Sequence, residues 1–194
     1  MSATLSTKEK ILNIASKILQ DRGYNGFSYS HISKQLGIRN AAIHYHFPTK
    51  SDLGNAMIQA YQNQFTSWMN HNEQKFAGQY DKLLESYIAI PRSFINKQHT
   101  VCPLAVLEAN YTIFPEGMQT LTQQLSKDIR AWFTRILSNG RTAGIFKFEG
   151  PAENKALMLS AALQGASMMA HVESPEIFES TVLQIKRELG IYHE

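Results

Sequence analysis

The chain has 194 residues, room for one domain or two small ones, with 43% apolar and 10% aromatic side chains and a formal charge of +3. That composition can bury a sizeable core and argues against disorder, while a single cysteine, Cys102, excludes an intrachain disulfide framework and fits a reducing compartment. No apolar run approaches the roughly 20 residues that span a bilayer, and MSATLSTKEK has no apolar stretch behind its lysines, so the reading is soluble, cytoplasmic and without a membrane partner.

The charge is unevenly spread. Residues 1–60 hold seven basic side chains against three acidic ones, and the remainder holds twelve against thirteen. The positive excess therefore sits at the N-terminal end, where attraction to phosphates would need it.

Residues 7–22 form the first expected helix. Thr7 is its expected N-cap, with Lys10 where a capping-box glutamate would stand. Ile11, Ile14, Ala15, Ile18 and Leu19 recur at helical spacing, and Gly23 stops the helix. Phe27 is expected to pack beneath the unit that follows. Ser28 or Ser30 caps a second helix, whose N-terminus, with a hydroxyl and open backbone N–H groups, is suited to a phosphate.

From Tyr29 to Lys50 two short helices meet at a tight turn. Ile32 and Leu36 give the first its apolar stripe, and Gly37 ends it because glycine takes a positive φ cheaply. Ile38 turns inward, and Ala42, Ile43 and Phe47 form the inner side of the next helix. Two helices around a glycine turn make the helix-turn-helix pattern, in which the second helix enters the DNA major groove.

The order Ile11…Gly23…Phe27-Ser28…Ile32…Leu36-Gly37-Ile38…Ile43-His44-Tyr45-His46-Phe47…Lys50…Leu53 resembles the TetR family of transcriptional regulators. The likeness covers about residues 7–60 at motif level. It implies an all-α fold, with an N-terminal three-helix DNA-binding bundle over residues 1–50 and a C-terminal ligand-binding and dimerisation domain over 51–194, the fourth helix linking them to about residue 67. One residue departs from the pattern. The family has tyrosine directly after the aliphatic residue, and here His44 stands in its place, so His44 or Tyr45 takes the phosphate role which that tyrosine would have had.

Geometry and resemblance together assign roles to residues of the recognition helix. Arg39 suits guanine O6/N7, Asn40 suits adenine N6/N7 or else caps the helix, and Ala41 suits a thymine methyl. Ser28, Tyr29, Ser30, His44, Tyr45 and Lys50 complete the expected DNA contacts, most of them to phosphates. His44 and His46 are two apart and point to different sides of a helix, and no further ligand pair lies nearby, so no metal is expected.

The fourth helix should run from Ser51 to about Lys75 on Leu53, Met57, Ile58, Tyr61, Phe65, Trp68 and Met69, and Gly78 breaks it. A fifth, over 81–97, contains Pro91, which should kink or divide it. Cys102-Pro103 opens a short sixth helix to about Tyr111, and a seventh covers roughly 115–139. Gly140, Gly144 and Gly150-Pro151 then bracket a poorly structured connection.

The eighth helix, about 152–172, is apolar on two sides and must be covered on two sides. With a ninth at roughly 175–189 it would form a four-helix interface in a homodimer, as the resemblance also implies. Twofold symmetry then presents two recognition helices about 34 Å apart.

The resemblance further implies a cavity for a small effector. Its candidate lining is Trp68, Tyr87, Phe94, Cys102, Asn110, Tyr111, Trp132 and Gln164, with no charge cluster, which points to a largely apolar or aromatic compound. Cys102 is either a buried, inert thiol or, ahead of a helix N-terminus, a sensor of electrophiles. No cofactor is implied. The chain shows no G-x-S-x-G, G-x-G-x-x-G or P-loop, which argues against an enzyme. The expected function is a ligand- or stress-responsive repressor bound to a palindromic operator. The alternatives are a helical adaptor that does not read DNA sequence and, behind it, a helical-bundle enzyme.

Overall fold

The computed structural model describes residues 5–26, 28–98 and 100–191, and every regular element among them is helical. Phe27 lies outside the described residues, and with it the packing expected of its side chain. The chain forms two compact units, Met1–Gln64 with Val106–Leu125, and Phe65–Ala105 with Ser126–Glu194.

In the first unit, α1 spans Thr7–Arg22. Its N-cap is Ser6, one residue before the expected Thr7. Ser6 finds Glu9 at the third helical position, so the serine hydroxyl accepts from the Glu9 amide while the Glu9 carboxylate accepts from the Ser6 amide. Thr7 would have faced Lys10, which has no acceptor to return. Ile11, Ala15, Ile18 and Leu19 are buried, and Gly23 closes the helix at φ 67°.

Next come α2, Tyr29–Leu36, and α3, Asn40–His46, with Gly37 between them in the left-handed conformation at φ 66°, ψ 28°. The fourth helix, α4, spans Lys50–Lys75. Thr49 starts it with a second reciprocal cap, accepting from the Asp52 amide at 3.1 Å while Asp52 accepts from the Thr49 amide at 2.9 Å. Ile32, Ile43, Phe47, Leu53, Met57 and Ile58 are all buried, while Leu36, Ile38 and Ala42, also expected on the inner faces, are half-buried.

The later stretch Val106–Leu125 belongs to this unit as well, which therefore contains more than residues 1–50. Asn110 accepts from the Tyr24 amide at 3.2 Å, and the Tyr24 and Phe114 rings meet edge to face at 5.3 Å. Gly54 allows the close approach, since a Cβ there would fall 2.3 Å from the Met118 sulfur.

In the second unit, α5 spans Tyr80–Ser93 with Pro91 inside it, and the chain continues as a π-helical turn over Phe94–Gln98. The expected 81–97 helix is divided, but after Ser93 rather than at Pro91. The α-helix runs through the proline, which has no amide to donate to the preceding turn, and the wider coil begins at Phe94. The sixth helix, α6, is short, Pro103–Ala109, and is followed by a 3-10 turn over Tyr111–Ile113.

The seventh, α7, spans Glu116–Thr142 and α8 spans Ala152–Val172. The last helix, α9, covers Pro175–Glu188. Gly140 lies inside α7 rather than in a loop, and glycine is needed there because a Cβ would fall 2.3 Å from the Phe146 ring. The connection expected to be poorly structured is tied down, with Phe146 1% exposed and the Lys147 amide donating to the Leu189 carbonyl.

Trp132, Phe133, Phe146 and Phe178 centre the core of this unit, and α9 packs on α8 through Phe178, Val182 and Ile185. Arg92 ties α5 to α9, donating to Glu179 at 2.7 and 3.0 Å and to Glu85 at 2.8 Å.

Candidate DNA-reading face and ligand cavity

The outward face of α3 is built by the same spacing that buries its inner face. Ile43 is fully buried, which leaves Asn40, Ala41, His44 and Tyr45 exposed, Tyr45 at 84%. Arg39, also exposed, occupies the N-cap position with extended backbone and makes no capping side-chain bond, so Asn40 is the first helical residue rather than the cap. Both side chains therefore project from the start of the helix, the end that meets base edges in this mode of docking.

Two groups hold α3 in place. The Tyr29 hydroxyl, buried, donates to the Phe47 carbonyl at 2.8 Å. Burial first, then the Asp52 carboxylate and Tyr24, push the Tyr29 pKa up to about 12, so the donor stays protonated. The His44 ring lies against Tyr29, centroids 4.6 Å apart and planes inclined at 60°, and its Nδ1 lies 3.1 Å from the Pro48 carbonyl. A carbonyl only accepts, so Nδ1 carries the hydrogen. Nε2 is then an acceptor in the neutral ring and a donor in the protonated one.

Lys50 opens α4 with its ammonium 4.3 Å from the Tyr24 ring centroid, and burial lowers its pKa. The Ser28 and Ser30 hydroxyls pair with one another at 2.7 Å at the start of α2, and the N-cap Ser28 makes no side-chain capping bond to a helix amide.

The second unit encloses a cavity of about 80 Å³. Its wall comprises Phe65 of α4; Tyr87, Ile90 and Pro91 of α5; Cys102 and Leu104 at the start of α6; Ile129 of α7; and Leu163, Gln164 and Ser167 of α8. Of the residues expected around an effector, Tyr87, Cys102 and Gln164 are brought together there.

The others serve elsewhere. Trp132 is buried in the core and donates its indole N–H to Glu73 at 2.8 Å, and Trp68 stacks on Phe65 at 5.8 Å. Phe94 opens the π-helical turn. Asn110 binds the Tyr24 amide and donates to the Val106 carbonyl, and Tyr111 bonds to Gln119 and Gln123; both residues belong to the first unit. Ser167 was missed because it reads as one more small residue on an apolar helix.

A different feature marks the outside of α8. Leu157, Met158, Met168, Met169 and Val172 are exposed, with Ala161 and Gly165 between them. Among the described residues no cluster of three His, Cys, Asp or Glu side chains could hold a metal, and no helix is long and apolar enough to cross a membrane.

The pattern of the bacterial regulatory proteins of the tetR family matches residues 11–57. The chain is 24% identical over 188 residues to the HTH-type transcriptional repressor NemR of Escherichia coli, covering 93% of this chain and 92% of the relative. A crystal structure of a TetR-family transcriptional regulator from Agrobacterium tumefaciens superposes with a TM-score of 0.87 at 28% identity, covering 93% of this chain and 96% of the other. The crystal structure of the reduced form of E. coli NemR gives 0.81 at 22% identity, covering 95% and 97%.

Proposed function

We infer that this chain, which belongs to the tetR family of bacterial regulatory proteins through residues 11–57, is a DNA-binding transcriptional repressor that grips a palindromic operator as a homodimer and is released by a small effector. The observation that carries the reading is the exposed face of α3, with Arg39, Asn40, Ala41, His44 and Tyr45 outward on the part of the chain that holds the excess positive charge. In this reading residues 1–50 recognise DNA, and residues 51–194 hold the effector and the dimer contact.

Arg39 reads a guanine, Asn40 an adenine and Ala41 a thymine methyl. His44, Tyr45 and Lys50 fix the module on phosphates, with Ser28 and Ser30 at the start of α2. Tyr29 acts differently from its neighbours. Its one hydrogen is committed to the Phe47 carbonyl, so it positions α3 instead of donating to DNA.

The apolar outer stripe of α8 supports pairing with a second copy. Ala161 and Gly165 would let two helices approach closely, and α9 packs beside α8 to complete a four-helix contact. The cavity is the effector site of this proposal, its uncharged wall favouring a largely apolar compound. An electrophilic effector with an activated C=C bond would be captured by Cys102, whose sulfur would bond to one carbon as the π bond breaks and the thiol's proton ends on the other carbon.

Three helices, α4, α6 and α7, contribute residues to both units. An effector that prefers one arrangement of them shifts the population toward dimers mis-spaced for the operator.

Selection of bound DNA from a random pool tests the reading. The expected product is a palindrome whose half-sites lie about one helical turn, roughly 34 Å, apart. Enrichment of a lone half-site would remove the dimeric operator, and no enrichment at all would leave the chain an adaptor.

A further inference from the structure

Ser167 is 1% exposed, lines the cavity, and its hydroxyl has no hydrogen-bond partner. Buried hydroxyls without partners are few in folded proteins because the lost hydration is not replaced. A serine inside a helix has the carbonyl four residues back within reach, here that of Leu163, and Ser167 does not use it. Resting on the reading of this cavity as the effector site, we propose that it takes a small, uncharged carbonyl compound whose oxygen accepts the Ser167 hydrogen.

The wall excludes the other classes in turn. No side chain on it carries a formal charge, so a charged ligand would lose its water and gain no counter-ion. A trapped water needs two to four polar partners, and most of this wall is hydrocarbon. An apolar body that brings its own polar atom suits the site better. A carbonyl takes the serine hydrogen and introduces no hydrogen of its own, whereas an alcohol leaves one over, and an unmet donor is tolerated less often than an unfilled lone pair.

Size sets a further limit. A cavity of about 150 Å³ admits benzene, so about 80 Å³ corresponds to a compound of only a few non-hydrogen atoms in this conformation.

The test uses the whole protein and three probes of matched size, butanone, 2-butanol and n-pentane. Tryptophan emission follows binding, because Trp68 stacks on the wall residue Phe65. Butanone is expected to bind saturably and more tightly than 2-butanol. Ser167→Ala should weaken butanone roughly threefold to tenfold, the worth of one neutral hydrogen bond, and leave n-pentane bound as tightly or more so. The unliganded variant should melt no lower than the parent, since the hydroxyl it loses had no partner.

Equal weakening of ketone and alkane, no weakening of the ketone, or a preference for the alcohol overturns the carbonyl assignment while the cavity reading stands. Failure of all three probes to bind overturns both.

Discussion

Met168 sits on the exposed stripe of α8, one turn before its C-terminal end, and reversing its polarity probes the proposed dimer directly. Five apolar side chains make up that stripe: Leu157 at 54% exposure, Met158 at 46%, Met168 at 47%, Met169 at 51% and Val172 at 81%. Burying such a side chain fully is worth about 1.5–3 kcal/mol, so covering what remains exposed gives on the order of 5 kcal/mol per subunit and about 10 for the pair.

Met168→Lys removes about 1 kcal/mol of that at each of two symmetric positions. It also strips water from two like charges brought together, at several kcal/mol. A net loss of at least about 3 kcal/mol raises the dimer dissociation constant a hundredfold or more. The folded subunit should not notice, because exposed substitutions away from special features stay within about 0.5 kcal/mol. Sedimentation across a concentration series reads the dissociation constant, and thermal unfolding checks the subunit. A variant that stays as tightly dimeric as the parent would refute the α8 assignment, and unchanged operator affinity in a monomeric variant would refute the need for a dimer.

Tyr29→Phe should leave the Phe47 carbonyl without its buried donor and cost about 1–3 kcal/mol. For a chain of this size that lowers the melting temperature by about 2–4 °C per kcal/mol, and calorimetry showing no change would remove the strut. The parent's advantage is also bounded in pH. Because the folded-state pKa is raised to about 12, the contribution is complete below the ordinary tyrosine value near 10 and is lost between there and 12, a dependence the phenylalanine variant should lack. Arg39→Ala should relax preference at one base pair by about 1–3 kcal/mol, whereas Lys50→Ala should weaken all sequences alike and reduce the salt slope by about one. The same sequence-independent loss from both in a gel shift would mean that Arg39 reads no base. Cys102→Ser should abolish release of DNA by N-ethylmaleimide, and release as complete as the parent's would remove the thiol from the mechanism.

The parts of this molecule that could be read from its sequence are those that local chemistry determines. Gly37 ends α2 because few other residues take φ 66° cheaply, and the outer face of α3 follows once Ile43 is placed inside. The double apolar face of α8 was legible for a similar reason, since a helix without a polar side announces a second cover. Even locally, competition between neighbours decides details: Ser6 displaced Thr7 as cap because only Ser6 has a glutamate three residues on.

The cavity was legible only in part, because its wall is assembled from residues far apart in the chain. Aromatic stripes say that Trp68, Phe94 and Trp132 will be packed, but not whether they face a void or one another. Asn110 illustrates the same limit for polar groups. Its amide could serve a ligand or a backbone group, and the Tyr24 amide, 86 residues away in sequence, takes it. Ser167 is the converse, a side chain that packing leaves without the partner its chemistry calls for. Neither outcome follows from spacing along the chain, since both depend on which distant groups arrive at the same place. A polar residue on an apolar helix is thus an open position until the fold supplies or withholds its partner, and the withheld case, at Ser167, is where a ligand has most to gain.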